Sequence, residues 1–388
     1  MRRIWILGLG LGVAACERVE TGVEPDAEGA DMGKYVAMGT SISMGYANDG
    51  VVAATQETSW PKLLANNVGV TFTQPLIESP GCQPPFTSPL IQLKRLDNSS
   101  ALTTPLTCAA NAAGVALPAQ NVAITGQTAL DATTETPTNA TVTARVLAAG
   151  QTQVTAMRAQ NPTFVSVEFG GAELLQALNG RVEIGTTLAP IAEFQSAYGE
   201  IIDAVKQTGA KALLVTLPTD LSRMPAVRTS AEVAAQRSAF ALLNVSVSSD
   251  CDTSPNYVTL LGLLGALANG AARVGQGAYT FSCANVANVA DGILSPAEVT
   301  TLNNQAAQYN TFITTKANEN GYATMSLGVL YDNAKVGAPF DLVLVATSQT
   351  PFGATMSLDG VHPNAAGNAI LASAARAAIT AKYGGVTK

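Results

Sequence analysis

The chain has 388 residues, 47% of them hydrophobic and 13% charged, with a formal net charge of −7. An acidic chain without a basic run argues against nucleic-acid binding, which depends on Lys and Arg neutralising phosphates. The length accommodates one large domain with insertions, or two domains, and abundant Ala, Thr, Val and Gly raise the hydropathy without a membrane span.

Arg2-Arg3 forms a short positive segment, and Ile4 to Ala15 is an apolar stretch too short to cross a bilayer. It ends in Val13-Ala14-Ala15-Cys16. Small residues before a cysteine resemble the lipobox of bacterial lipoproteins. That implies a signal peptide over residues 1–15, diacylation of Cys16 and a membrane tether through buried acyl chains. The alternative is an ordinary secretory signal in which Cys16 is incidental. The lipoprotein reading places the protein in the bacterial cell envelope, lipid-anchored, periplasmic or on the outer-membrane surface. Residues 16–32, acidic and Gly-containing with no apolar period, read as a flexible tether. The folded domain is expected over 33–388.

Further along the chain, strand-like runs alternate with helix-like ones, which points to an α/β fold with a mainly parallel sheet. Strands are expected at Tyr35–Met38, Gln120–Ile124, Phe164–Phe169, Lys211–Leu217 and Ala323–Leu327. Helices are expected at Ser59–Asn67, Thr141–Ala159, Pro190–Thr208, Pro296–Asn318 and Asn364–Tyr383. Ser295-Pro296 supplies a cap followed by proline at the first helical position. Two segments, at about 75–118 and 218–294, break the alternation and read as insertions. The second holds an apolar run, Tyr257–Ala268, expected to be a buried helix or a greasy wall beside the site.

Cys82, Cys108, Cys251 and Cys283 are an even set in a chain expected to leave the cytoplasm. Of three connectivities, proximity favours Cys82–Cys108 and Cys251–Cys283, each closing a loop worth about 3–4 kcal/mol in the loop-entropy account. No C-x-x-C pair exists and the single histidine lies elsewhere, so neither metal nor cofactor is expected.

That histidine, His362, sits in "SLDGVHPNAAGN". Asp359, three residues earlier in a turn opened by Gly360, can reach its Nδ1, fix the tautomer and leave Nε2 to accept a proton. Near the other end, "YVAMGTSISMG" reads as a strand running into a turn that presents Ser41. A strand–Gly-x-Ser turn early and Asp-x-x-His-Pro late resemble the GDSL family, also called SGNH hydrolases, colinearly over residues 34–384. The resemblance implies a three-layer α/β/α sandwich with a flavodoxin-like, mainly parallel sheet, here with disulfide-bearing insertions. It implies a serine hydrolase of carboxylic esters, with Ser41 as nucleophile, His362 as base and Asp359 as the orienting acid. The family's oxyanion hole maps onto Ser41 N–H, Gly126 N–H in "NVAITGQTALD", and position 172 in "FVSVEFGGAELLQAL". Two departures stand out. Thr40 replaces the aspartate of Gly-Asp-Ser and brings no charge. Ala172 stands where an asparagine donor belongs, with Glu173 at the aspartate position. These departures leave a second reading open, a surface lipoprotein of the same fold that binds a ligand or partner with weak or no turnover. An ester, small or lipidic, is the expected substrate.

Overall fold

A computed structural model describes residues 29–102, 108–138, 141–335 and 339–388. Residues 1–28, with the expected signal segment and Cys16, lie outside them. Ala30–Asp31 pairs in parallel with Val386–Thr387, and Ala30 and Met32 are fully buried. Residues 30–32 of the stretch expected to be tether are therefore part of the fold. No apolar period announces this, because the strand is two residues long.

Four parallel strands form the central sheet: β1 (Tyr35–Gly39), β2 (Phe164–Glu168), β3 (Lys211–Thr216) and β4 (Ala323–Ser326), in the order β4-β3-β2-β1. Every residue of β1 and β2 is buried, as expected of parallel strands covered on both faces. The expected strand at 120–124 lies along β1 through three bonds: Ala37 N–H to Gln120 O, Val122 N–H to Ala37 O and Ile124 N–H to Gly39 O. It extends the sheet without forming a regular ladder.

On one face lie α2 (Trp60–Val68) and α7 (Ala365–Tyr383), packed on each other. On the other lie α4 (Ile191–Thr208) and α6 (Pro296–Asn320). This is the expected three-layer α/β/α sandwich. Ser295 caps α6 by accepting the Glu298 N–H, with Pro296 at its first position.

The helix expected over Thr141–Ala159 is two short helices, Thr143–Val146 and Gln153–Ala159. Gly150, at φ +74°, breaks the run, and Thr152 caps the second piece. Both disulfides pair as proximity favoured. In the second insertion, Tyr257–Thr259 is a strand paired antiparallel with Val227–Thr229 and Ile293–Leu294; the helix α5 (Leu260–Ala272) follows it. Among the described residues, no helix is long and apolar enough to cross a membrane.

Candidate active site

The site lies at the carboxyl ends of the parallel strands, where open α/β sheets place their ligands. Strand β1 ends at Gly39, whose Cβ, if present, would lie 2.7 Å from Glu168 O. Thr40 follows, and Ser41 opens the one-turn helix α1 (Ser41–Met44). Its N–H is among the first-turn donors that no intrahelical carbonyl satisfies. Glu168, level with Gly39 on β2, turns its buried carboxylate under this elbow. It accepts from Thr40 N–H at 3.1 Å, Thr40 Oγ1 at 3.1 Å and Ser43 N–H at 3.2 Å. The carboxyl group missing from Thr40 is thus supplied, as an acceptor, by the neighbouring strand. Burial raises the Glu168 pKa, and the donors from Thr40 and Ser43 only partly offset it.

The second half of the site is the turn at 357–362. Gly360 takes φ +64°, and a Cβ there would come within 2.9 Å of Ala226 N. Within the turn, Asp359 Oδ1 accepts the N–H groups of Val361 and His362 at 2.9 and 2.8 Å. Its Oδ2 meets His362 Nδ1 at 3.0 Å, and His362 Nε2 meets Ser41 Oγ at 2.9 Å. The three residues expected to act together are therefore joined, although Ser41 and His362 are 321 positions apart. Burial alone would raise the Asp359 pKa, but the imidazolium beside it and its hydrogen bonds hold it down at about 2. Burial would lower the His362 pKa; the charges of Asp359, Asp49 and Glu168 outweigh it and raise it.

A third segment supports the turn and was not legible beforehand. Ala47 and Gly50 exchange both backbone bonds around Asn48 and Asp49, at φ 56° and 54°. This left-handed pair is the geometry of a type I′ turn, which Asn and Asp tolerate. Asn48 Oδ1 accepts Leu358 N–H at 2.8 Å, and Asp49 N–H donates to Asp359 Oδ2 at 2.7 Å. The Asp49 carboxylate accepts from Arg95 at 2.6 Å, Gln83 at 2.8 Å and Tyr46 Oη at 3.1 Å. Arg95 and Gln83 belong to the first insertion, so that insertion reaches the site. Asn-Asp-Gly at 48–50 was the available signal.

Gly126, at φ +77°, follows the segment beside β1 and is exposed, with nothing within 4 Å of where a Cβ would sit. The Gln127 side chain turns inward, donating to Glu135 at 2.9 Å and accepting from Gln153 at 2.6 Å. Ala172 is the first residue of α3 (Ala172–Leu175), just past the end of β2. Glu173 accepts from Ala129 N–H at 2.7 Å and Gly170 N–H at 2.9 Å, tying the Gly126 and Ala172 segments together. Burial pushes its pKa up to about 7 against those hydrogen bonds. Among the described residues, no group of three or more His, Cys, Asp or Glu could hold a metal ion.

The family profile described as GDSL-like Lipase/Acylhydrolase matches residues 35–375, a span that contains Ser41, Asp359 and His362. The chain belongs to the GDSL-like lipase/acylhydrolase family. Among solved structures it is similar to an acetylxylan esterase from Geobacillus stearothermophilus, at 11% identity and TM-score 0.39, covering 90% of this chain and 95% of that one. It is also similar to a protein from Parabacteroides merdae described as a GDSL-like lipase, at 12% identity and TM-score 0.41, covering 92% and 100%. No curated protein matches it by sequence.

In this GDSL-family hydrolase a cleft of about 530 Å³ is lined in part by His362 and Asp359. The first insertion supplies Phe86, Ala101 and Leu102 to its wall, and α5 supplies Leu260, Leu261 and Leu264. A narrow apolar slot between Ile42, Gly171 and Tyr331 meets the imidazole separately. Tyr331 Oη donates to Val361 O at 2.5 Å, steadying the residue before His362.

Proposed function

We propose that this protein hydrolyses carboxylic esters through an acyl-enzyme on Ser41, and that it does so outside the cytoplasm, held to a membrane by lipid on Cys16. The observation that carries the catalytic reading is the unbroken chain Ser41 Oγ–His362 Nε2 at 2.9 Å and His362 Nδ1–Asp359 Oδ2 at 3.0 Å. With the Nδ1 proton committed to Asp359, Nε2 accepts the Ser41 proton as Oγ attacks the ester carbonyl. Collapse of the tetrahedral intermediate breaks the bond to the alcohol oxygen, which takes that proton from His362. Water then gives a proton to His362, attacks the acyl carbon and releases the acid, and Ser41 regains its proton.

The N–H groups of Ser41 and Gly126 are the donors assigned to the oxyanion. Ala172 supplies none, and losing one such donor typically costs about 10²- to 10³-fold in rate. A slow enzyme is therefore expected. The test is hydrolysis of p-nitrophenyl esters by the mature chain beside Ser41→Ala. Turnover that disappears in the variant supports the reading, and equal turnover in both sinks it. Labelling of intact cells with radioactive palmitate, compared with Cys16→Ser, tests the anchor.

A further inference from the structure

One wall of the cleft is a helix with a gap in it. Helix α5 carries three glycines, and two have packing reasons. A Cβ on Gly262 would meet Gly292 O at 3.1 Å, and one on Gly270 would meet Leu243 O at 2.5 Å. Gly265 differs: a Cβ there would meet nothing within 4 Å. Glycine inside a helix is disfavoured against any residue with an ordinary side chain. No contact among the described residues repays that cost at 265.

Gly265 lines the cleft together with Leu260, Leu261 and Leu264, on one stripe of the helix. Leu261 and Leu102 are 55% and 47% exposed, so large apolar side chains stand open at this wall. The charged residues of the lining besides Asp359, namely Asp49 and Arg95, are paired with each other.

We propose that the cleft holds the acyl chain of the ester and that Gly265 sets how deep that chain reaches. This rests on the serine-hydrolase reading above. Asp359, Val361 and His362 line the cleft, so it lies beside the imidazole whose Nε2 meets Ser41 Oγ at 2.9 Å, within reach of a chain on the reacting carbonyl. The acyl group stays on the protein through both half-reactions, whereas the alcohol leaves after the first. A built apolar wall therefore serves the acyl group in both steps.

The test compares kcat/KM for p-nitrophenyl esters from acetate to dodecanoate, and for acetates of straight-chain alcohols. The proteins are wild type, Gly265→Leu, Gly265→Ala and Ser41→Ala. In wild type, kcat/KM should climb by up to about fourfold per acyl methylene until the cleft is filled. Gly265→Leu should lower the octanoate-to-acetate ratio by about tenfold or more, with Gly265→Ala between. Both variants should melt no lower than wild type, because the substitutions favour the helix. If leucine disrupts folding, the alanine variant carries the comparison. An unchanged ratio in a folded variant, or a response to alcohol length alone, would overturn the proposal. Ser41-dependent turnover that ignores acyl length overturns the cleft assignment only. Turnover retained by Ser41→Ala, or no turnover in wild type, overturns the reading beneath it as well.

Discussion

Asp49 holds Asp359 through its backbone, not its side chain: the Asp49 N–H donates to Asp359 Oδ2 at 2.7 Å. Two acidic residues can sit side by side because the Asp49 carboxylate is met by Arg95, Gln83 and Tyr46. The type I′ turn aims the N–H at Asp359, and the first insertion holds the turn. Asp359 thereby accepts four hydrogen bonds, three from backbone N–H groups and one from the imidazole.

Asp49→Asn keeps that N–H but removes a charge that raises the His362 pKa. The acid limb of kcat/KM should move to lower pH, with a plateau closer to wild type than to Asp359→Asn. Arg95→Met should instead cost about 2 kcal/mol or more in stability, by stripping the Asp49 carboxylate of its charged partner. A pH–rate profile and denaturant unfolding measure the two.

The His362 pKa lies above its ordinary 6.5, so the neutral base forms only above that pH. The acid limb of kcat/KM should have its midpoint above 6.5, and Asp359→Asn should cut the rate about 10⁴-fold. The same pair sets a stability window. The raised His362 pKa contributes fully below 6.5, and that contribution is lost as pH rises through the folded value. The lowered Asp359 pKa contributes above 3.8, and that contribution is lost as pH falls through about 2. Wild type should therefore exceed His362→Gln in melting temperature most clearly between pH 3.8 and 6.5.

Restoring the family's Gly-Asp-Ser by Thr40→Asp should harm this protein. It removes the Thr40 hydroxyl donor and sets a second carboxylate against buried Glu168. A loss of about 1–3 kcal/mol is expected, from the lost hydrogen bond and the like-charge contact. Denaturant unfolding checks it. Equal stability would mean that Glu168 does not hold the elbow.

Ala172→Asn should act in the opposite direction on rate. An amide at the head of α3 returns the third oxyanion donor, and kcat should rise toward the 10²-fold scale of such donors. Steady-state kinetics on a short-chain ester reads it directly. No gain would mean that position 172 does not face the oxyanion.

Much of the scaffold was legible. Strands buried on both faces read as short apolar runs, and α4, α6 and α7 carry proline or asparagine signals at their starts and glycine at their ends. Ser41, Asp359 and His362 were legible because each sits in a local motif. Glu168 and Asp49 were not, because their roles are long-range. Glu168 reads locally as an acid ending an apolar strand, and only its register with Gly39 brings it under Thr40. Asp49 reads as a turn residue, and only the packing of residues 310 positions away gives its N–H a task. The interiors of the insertions were opaque for a similar reason. The strands of the second are two or three residues long and pair across the insertion, and the first is held by isolated bridges such as Ile77 with Asn111.

The most direct test is the intact mass of the protein after a fluorophosphonate probe, followed by peptide mapping. A single adduct on Ser41, absent in Ser41→Ala and sharply slowed in His362→Ala, is the predicted result. An adduct on another residue, or equal labelling of Ser41 with and without His362, would contradict the assignment of Ser41 as a nucleophile activated by His362.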